Sequence, residues 1–361
     1  MTGGDGALRV AYDAGPLLNI RTGVGRYAGE LADALRALGV DLACYAVAAG
    51  GPPAGEAIRR WRVPARMMQA AWRYADRPRV TTLAGQADVA HATNFVLPAL
   101  GDVPGVVTIH DLSFRRNDTF PGGRRLLDLV PWSIRRAAAT LVPTEAIKEE
   151  LCGVYDVAPE RVHVTYEGVA PVFFGATPLA AAALAAMGVR EPFVVAVGTI
   201  EPRKNLPRLL AAWREARRGF EEWTLVIAGP RGWGPALPET PGVALVGWIG
   251  DETLPGLLAA AELFCYPSLY EGFGLPPLEA MAAGTAALVG AYSAAREVVG
   301  EAALLMDPFD TDAMGACLRQ AFEDDRLRAD LARRGRARAA QFTWMRAAKS
   351  TVAAYEVAVS K

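Results

Sequence analysis

The sequence predicts an α/β protein built from two Rossmann-like domains with parallel sheets. At 361 residues the chain is long enough for two ordinary domains. Short apolar runs at 8–12 (LRVAY) and 41–47 (DLACYAV) flank a helical pattern, which is typical of the strand–helix–strand unit of a parallel sheet. The alternation starts again at 192–197 (PFVVAV). Two such arrays in tandem predict two domains that face each other across a cleft.

The domain boundary is expected after the last apolar strand of the first array. Residues 171–177 have the composition of a linker. We therefore expect an N-terminal domain at 1–172 and a C-terminal domain at 173–342. A final helix is expected at 343–361.

The composition bounds the class of protein. A hydrophobic fraction of 52% with 21% charged residues is that of a globular protein with a large core, and a net charge of −1 argues against a broadly basic nucleic-acid binder. The four cysteines form no C-x-x-C pair and the three histidines are scattered, so we expect neither disulfides nor a zinc site. The first residues lack the pattern of a signal peptide, and no long apolar window is present. A cytoplasmic location is expected.

The stretch 264–289 (FCYPSLYEGFGLPPLEAMAAGTAALV) predicts a strand, a glycine-bearing loop, a helix opened by two prolines and a second strand. Glu271 lies in the loop and Glu279 in the first turn of the predicted helix. Glycines let a backbone approach a ligand, and the amides of a helix N-terminus bind anions. A first-turn carboxylate stabilises a helix by roughly 0.3–1 kcal/mol, which explains Glu279 without a ligand. Glu271 has no such structural explanation.

A second motif, 198–205 (GTIEPRKN), stands directly before a predicted helix. Arg203 and Lys204 are cations at a helix N-terminus, where the macrodipole disfavours positive charge. A local rule broken in this way is expected at a functional site. A bound anion would remove the conflict, so we expect these two side chains to bind a diphosphate.

The first loop contains a formal G-x-G-x-x-A at 23–28. A dinucleotide-binding fingerprint follows its strand directly, and the next strand ends in an acidic residue. Here a long loop separates Tyr12 from Gly23, and the second strand ends at Val47 without an acid. The sequence therefore does not predict a site for a nicotinamide dinucleotide. A plain turn into a helix beginning near Arg26 is one alternative interpretation of this segment.

Polar residues follow several predicted strands of the first array. Asp13 follows the run at 8–12, Asn94 follows 88–92, and His110 with Asp111 follows 106–109. Ligands of open parallel sheets bind beyond the carboxyl ends of the strands. A histidine in such a position is also often only a loop residue. Asp111 is expected either to orient His110 or to bind a substrate, and the sequence does not choose.

The segment 59–79 is basic and amphipathic, with seven arginines and one aspartate, a net of 7 − 1 = +6. It also carries Trp61, Met67, Trp72 and Tyr74. Such a segment suits peripheral contact with a membrane surface or with an anionic substrate. It equally suits a helix, limited by two prolines to about 65–76, that packs its apolar side on the core.

The sequence EGFGLPPLEAM at 271–281 resembles the E-x7-E signature of the retaining glycosyltransferases with the GT-B fold, family 4 (glycosyl transferases group 1). GTIEPRKN and the TGVGRY of the first loop are similar to further segments of that family, and GTIEPRKN is similar to its mannosyltransferase members. The resemblance implies that the C-terminal helix 343–361 crosses back to the N-terminal domain.

The resemblance also implies roles for individual residues. The catalytic candidates are Glu271, His110, Arg203 and Lys204. The donor-binding candidates are Gly23, Gly25, Thr199, Trp248, Ile249, Gly272, Phe273, Gly274, Leu275 and Glu279. The acceptor-side candidates are Asp13, Asn94 and Asp111.

The implied reaction is retaining transfer of a hexose from a nucleoside-diphosphate sugar, GDP-mannose or a UDP-sugar, to a hydroxyl of a glycan, lipid-linked or small-molecule acceptor. No cofactor and no obligatory metal are expected, because cationic side chains take the place of a metal. A GT-B-shaped epimerase or glucan phosphorylase is the alternative; an epimerase would release nucleotide and sugar without an acceptor.

Overall fold

The computed structural model describes residues 7–18, 23–48, 58–116, 120 and 122–360. The chain divides into two compact units. The first unit comprises Met1–Gly168 and Trp344–Lys361, and the second comprises Val169–Thr343. The sequence analysis placed this division after residue 172, within the short helix Pro171–Phe174.

The first unit is built on a seven-stranded parallel sheet with the strand order β3-β2-β1-β4-β5-β6-β7. The chain builds the sheet outward from β1 in one direction and then returns to β4 on the other side. The topological switch point therefore lies between β1 and β4. The strands are β1 Arg9–Asp13, β2 Asp41–Val47, β3 Arg59–Trp61, β4 Val89–Ala92, β5 Gly105–Thr108, β6 Ala139–Val142 and β7 Val162–Val164.

Helices cover this sheet with apolar side chains. The first helix turns Tyr27, Leu31 and Leu35 inward at helical spacing, and all three are buried. The helices before the second unit are α1 Gly23–Ala37, α2 Ala65–Ala75, α3 Val80–Ala84, α4 Ser113–Arg116, α5 Gly123–Arg136 and α6 Glu145–Tyr155.

The C-terminal helix, Trp344–Val359, completes the first unit rather than the second. It packs against α1, and its buried Tyr355 hydroxyl lies 2.6 Å from His91 Nδ1 on the central strand β4. His91 Nε2 lies 2.8 Å from Thr108 Oγ1, which in turn lies 2.9 Å from the Tyr27 hydroxyl. Burial lowers the pKa of His91 to about 3, so this chain of hydrogen bonds is built on a neutral imidazole.

The second unit contains a six-stranded parallel sheet with the order β10-β9-β8-β11-β12-β13. Its switch point lies between β8 and β11, which are its two central strands. All of β9, β11 and β12 are fully buried, as expected for parallel strands covered on both faces. The strands are β8 Phe193–Val197, β9 Thr224–Ala228, β10 Val243–Gly247, β11 Leu263–Tyr266, β12 Ala286–Gly290 and β13 Leu304–Met306.

An aromatic cluster anchors one face of this second sheet. Trp223 stacks on Phe322 with ring centroids 4.4 Å apart, and Trp213 meets the same Phe322 edge-on at 5.9 Å. The helices of this unit are α7 Pro171–Phe174, α8 Ala181–Ala186, α9 Leu206–Ala216, α10 Leu254–Ala260, α11 Leu275–Ala283, α12 Ala295–Val299, α13 Thr311–Glu323 and α14 Asp325–Ala339.

The basic segment 59–79 contains strand β3 and helix α2, whose bounds agree with the expected helix at 65–76. Met68 and Trp72 are buried, so one side of α2 packs on the core. Met67 and Tyr74 stand out on the other side, with 60% and 84% of their surface exposed. Among the described residues, no helix is both long and apolar enough to cross a membrane.

Candidate active site

Two loops meet at the switch point of the second unit. The segment after β8 carries Arg203 and Lys204 in a 3-10 turn, Pro202–Lys204, and the segment after β11 carries Glu271. Asn205 follows the turn with φ of 58°, and its side-chain nitrogen donates to the carbonyl oxygens of Pro267 and Pro308. This residue therefore fixes the first loop onto the second before α9 begins.

Glu271 is the centre of the hydrogen bonding in this site. Its Oε1 accepts from Lys204 Nζ at 2.7 Å and from the Tyr266 hydroxyl at 3.0 Å. Its Oε2 accepts from Arg203 Nη1. Lys204 Nζ also donates to the Tyr266 hydroxyl at 2.6 Å. The sequence analysis brought Arg203, Lys204 and Glu271 together as one site, and the structure places them in direct contact.

A second carboxylate, Glu201, completes the arrangement. Its Oε1 accepts from Arg203 Nε and from Arg203 Nη2, both at 2.8 Å. We call Glu201, Arg203, Lys204 and Glu271 the charged cluster. The sequence analysis did not identify Glu201, and it expected the two cations to bind a diphosphate. Two carboxylates already balance their charges, and both cations stand directly before α9, as the motif predicted.

The pKa values follow from burial and pairing. Burial alone would raise the pKa of Glu271, but the charges of Arg203 and Lys204 outweigh it and hold the pKa at about 2. Burial lowers the pKa of Lys204, and Glu271 opposes that shift. Burial raises the pKa of Glu201, against the opposing charge of Arg203. Glu271 is therefore the firmly ionised carboxylate of the cluster.

The loop after β9 packs on the first segment of the site. Ile200 N donates to Pro230 O at 3.0 Å, and a Cβ on Gly229 would lie 2.0 Å from Gly198 O. Only glycine fits so close to another backbone. The predicted donor residues Thr199 and Ile249 are partly buried, whereas 52% of Trp248 is exposed.

The loop that leads into α11 is tightly packed. Gly274 has φ of 101°, and a Cβ there would lie 2.5 Å from the Tyr292 hydroxyl, so glycine is required. The neighbouring side chains Phe273 and Leu275 are buried, with Phe273 against Phe342. Gly272 is buried as well. These residues can therefore offer a ligand backbone amides rather than side chains.

Glu279 does not lie where the sequence analysis placed it. Helix α11 begins at Leu275, and no acidic residue occupies its first turn. Glu279 is in the second turn and is buried. The stabilisation of a helix N-terminus by a first-turn carboxylate therefore does not explain this residue.

The switch point of the first unit presents different chemistry. Asp13, the last residue of β1, accepts a hydrogen bond from Thr93 Oγ1 on its carbonyl at 2.8 Å and one from Gly15 N on Oδ1 at 2.9 Å. Burial raises the pKa of Asp13 to about 6. Asn94 Oδ1 is buried and has no hydrogen-bond partner within the described part of the chain. Asp13 and Asn94, two of the three acceptor-side candidates, therefore stand at one edge of this sheet.

His110 is held by groups that the sequence analysis did not identify. Its Nε2 lies 2.9 Å from Thr93 O, and because a carbonyl only accepts, Nε2 carries a proton. Its Nδ1 lies 3.5 Å from Glu167 Oε1, and the Tyr27 ring packs edge-on at 4.7 Å. Asp111 is engaged elsewhere, because its Oδ1 accepts from Ser113 N and Oγ. Of the two options left open, orientation of His110 by Asp111 is thus not found.

The glycine-rich segment belongs to a helix rather than to a loop. Helix α1 begins at Gly23, three residues earlier than the expected start near Arg26. Gly25 is in its first turn, and a Cβ there would lie 3.1 Å from Pro16 O. Gly23 and Gly25 can therefore contribute helix N-terminal amides.

The sequence could have pointed to two of the missed residues. Glu201 is part of GTIEPRKN, directly before the two cations, and Glu167 follows the last strand of the first array, as Asp13 follows the first strand. Tyr266, the last residue of a wholly apolar strand, gave no such signal.

Comparison with known proteins identifies the class. The structure of sucrose-phosphate synthase from Thermosynechococcus elongatus superposes with a TM-score of 0.73 at 19% sequence identity, covering 97% of this chain and 98% of that chain. Two parallel α/β sheets with this similarity define the GT-B fold.

The sequence comparisons identify the family. Residues 186–338 match the model for glycosyl transferases group 1, and residues 21–173 match the model for glycosyltransferase family 4. The chain is 33% identical over 296 residues to O-antigen chain mannosyltransferase B of Escherichia coli, covering 74% of each chain. It is 33% identical over 237 residues to MMP alpha-(1->4)-mannosyltransferase of Mycolicibacterium hassiacum, covering 63% of this chain and 56% of that one. The chain belongs to the group 1 glycosyltransferases.

Proposed function

We propose that this glycosyltransferase moves a mannosyl or related hexosyl group from a nucleoside-diphosphate sugar to an acceptor hydroxyl with retention of the anomeric configuration. The charged cluster at the switch point of the second unit is the observation that carries the proposal. Both compared relatives are named as mannosyltransferases, which supports mannose as the transferred sugar. GDP-mannose and UDP-sugars are the donors to be tested.

The cluster supplies what departure of a nucleoside diphosphate requires. Negative charge develops on the diphosphate as the anomeric bond breaks, and preorganised donors aimed at that charge usually provide the largest catalytic contribution. Lys204 Nζ has three N–H groups and donates to Tyr266 and Glu271, so one donor remains for a diphosphate. The Arg203 guanidinium, held by Glu201, Glu271 and the Tyr270 carbonyl, adds a fixed positive charge beside it. The amides near Gly274 add further donors.

Retention is proposed to follow from transfer on one face of the sugar. The bond from the anomeric carbon to the phosphate oxygen breaks, the bond to the acceptor oxygen forms on the same face, and the acceptor proton passes to the departing phosphate. No protein nucleophile takes part in this scheme. Asp13 and Asn94 are proposed to bind acceptor hydroxyls, and His110 to approach the transferred sugar.

A first experiment tests the donor and the stereochemistry. A thermal-shift panel of GDP- and UDP-sugars should single out one donor, since binding at a hundredfold excess over Kd stabilises the native state by about 2.7 kcal/mol. With an accepted hydroxyl compound, proton NMR of the product should show the anomeric configuration of the donor. Inversion, or no shift with any sugar nucleotide, would refute the proposal. Treatment with EDTA should leave activity intact, and loss restored by manganese would contradict the metal-free scheme.

A second experiment tests the cations. Lys204→Ala should lower kcat/KM by at least ~10²-fold, the usual cost of losing one charge-stabilising donor. Lys349→Ala, which removes an exposed lysine of the C-terminal helix, is the matched control and should keep normal activity. Normal turnover by a folded Lys204→Ala protein would exclude the cluster from catalysis.

Helix α2 is proposed to contact a membrane that carries a lipid-linked acceptor. Its exposed Met67 and Tyr74 lie seven residues apart on one face, beside Arg66 and Arg73. Anionic vesicles should therefore retain the protein more strongly than zwitterionic vesicles. The double variant Met67→Ser/Tyr74→Ser should bind more weakly, and equal binding to both vesicle types would contradict the contact.

A further inference from the structure

The charged cluster is electrically neutral as it stands. Arg203 and Lys204 contribute two positive charges, and Glu201 and Glu271 contribute two negative charges. The four side chains are largely withdrawn from solvent, with exposures of 23%, 11%, 4% and 8%. Water therefore screens them little. A sugar nucleotide that docks here adds two negative charges to a site with no net positive charge to receive them.

The two carboxylates are not held equally. Glu271 accepts hydrogen bonds from three residues, Lys204, Tyr266 and Arg203, and uses both of its oxygens. Within the described part of the chain, Glu201 has one side-chain partner, Arg203, which approaches the same oxygen, Oε1, with both Nε and Nη2. Glu201 can therefore take a proton on Oε2 and still hold Arg203 through Oε1.

We propose that Glu201 takes up one proton from solvent when a nucleoside-diphosphate sugar binds, and that it then positions Arg203 as a neutral acid. This inference rests on the proposed function of the site. Protonation removes one of the two negative charges, so the cluster becomes positive by one charge when the diphosphate arrives. The Arg203 guanidinium keeps its orientation. Its positive charge is then no longer balanced by Glu201 and can act on the diphosphate of the donor. Burial, which raises the pKa of Glu201, favours the same form.

Few other charged side chains among the described residues lie near Glu201 and could take up the proton in its place. Lys204 and Glu271 belong to the cluster, and Tyr266 bridges them. The loop after β9 packs on the Glu201 backbone, since a Cβ on Gly234 would lie 3.0 Å from Glu201 Cα. That loop carries two charged residues, Arg231 and Glu239, and both are exposed. Glu271, with a pKa of about 2, remains ionised throughout.

Calorimetry measures the proton directly. Binding of the accepted sugar nucleotide is titrated at pH 7.5 in PIPES and in Tris, two buffers with different ionisation enthalpies. The diphosphate of a sugar nucleotide does not titrate near this pH, so any buffer-dependent heat reports protons taken up by the protein. Wild-type protein should take up close to one proton per donor, by the linkage between binding and protonation.

The matched variants are Glu201→Gln and Glu222→Gln, the latter at an exposed glutamate of the same unit. Glu201→Gln should show no proton uptake and a donor affinity that is flat with pH. Wild type and Glu222→Gln should take up the proton and lose affinity as the pH rises, by up to ~10-fold per pH unit. A purely structural role for Glu201 would lower stability or affinity without changing the pH dependence.

Equal proton uptake by wild type and Glu201→Gln would overturn the inference, and so would the absence of uptake in wild type. If Glu201→Gln does not fold, difference infrared spectroscopy of the wild type should show a new carboxylic-acid band when the donor is added; its absence would be equally decisive. Donor binding without proton uptake would leave the proposed function standing. The absence of donor binding in both wild type and Glu222→Gln would overturn both.

Discussion

In the second unit, the switch point of the sheet holds four charged side chains that neutralise one another. In the first unit, the corresponding point holds a carboxyl with a raised pKa and a buried amide oxygen without a partner among the described residues. Both points lie at the carboxyl ends of two central parallel strands. The same topology therefore carries two opposite electrostatic arrangements.

The switch point of the second unit contributes to stability, whereas that of the first unit keeps the capacity to bind a ligand. The charges of the second unit satisfy one another, so Glu271 stabilises the fold in the absence of a ligand. Asp13 and Asn94 of the first unit retain hydrogen-bonding capacity at a cost to stability, which is what a site for hydroxyl groups needs. Substitutions at the two switch points should accordingly change the free energy of unfolding in opposite directions.

The largest effect is expected at Glu271. Glu271→Ala leaves Lys204 buried without its carboxylate, so the free energy of unfolding should fall by about 3–5 kcal/mol and kcat/KM by at least ~10²-fold. The folded pKa of about 2 lies below the usual 4.5, so this contribution is complete above pH ~4.5 and is lost as the pH falls toward 2. Urea unfolding between pH 3 and pH 7 measures it.

Glu239→Ala, at an exposed glutamate of the same unit, is the control and should change stability by less than ~0.5 kcal/mol. If Glu271→Ala were as stable as this control at pH 7, the neutral cluster would not stabilise the second unit.

Asp13→Asn should have a smaller effect of the opposite sign. The folded pKa of about 6 lies above the usual 3.8, so the charged carboxylate destabilises the native state. That cost is absent below pH ~4, grows up to pH 6 and is complete above it. The variant should therefore be more stable than wild type at pH 8, by up to about 3 kcal/mol, and equal to it at pH 4. Thermal unfolding across this range provides the measurement, and a loss of stability at pH 8 would contradict the comparison.

The smallest effect is expected at Glu167. Glu167→Gln keeps the shape of the side chain but removes the negative charge beside His110 Nδ1, and should lower kcat about tenfold, or ~1.4 kcal/mol, with donor KM unchanged. His110→Ala and the double variant His110→Ala/Glu167→Gln should then have equal kcat, because Glu167 acts through His110. Additive losses in the double variant would instead give Glu167 an independent role.

The strands and the two cations of the charged cluster were predictable because their signals are local. Buried parallel strands are continuous apolar runs, and GTIEPRKN places two cations where local rules disfavour them. The GT-B fold followed from the repeated array and from the resemblance of the motif, whereas the order of the strands was not predicted. The α/β fold class and the family were therefore confirmed.

The missed features depend on contacts between distant parts of the chain. His110 pairs with Glu167, which lies beyond two further strands. No spacing rule connects such residues. The first helix was expected near Arg26 and begins at Gly23, and Glu279 lies in the second turn of its helix rather than in the first.

The position of the C-terminal helix has a consequence for biosynthesis. The Tyr355 hydroxyl is hydrogen-bonded to His91 in the interior of the first unit. In the sequence, however, the whole second unit separates these two residues. A ribosome makes the second unit before it makes this helix, and domains fold as they emerge. The first unit is therefore synthesised first but completes its folding last, because it must wait for the C-terminal helix. The second unit can complete its folding earlier.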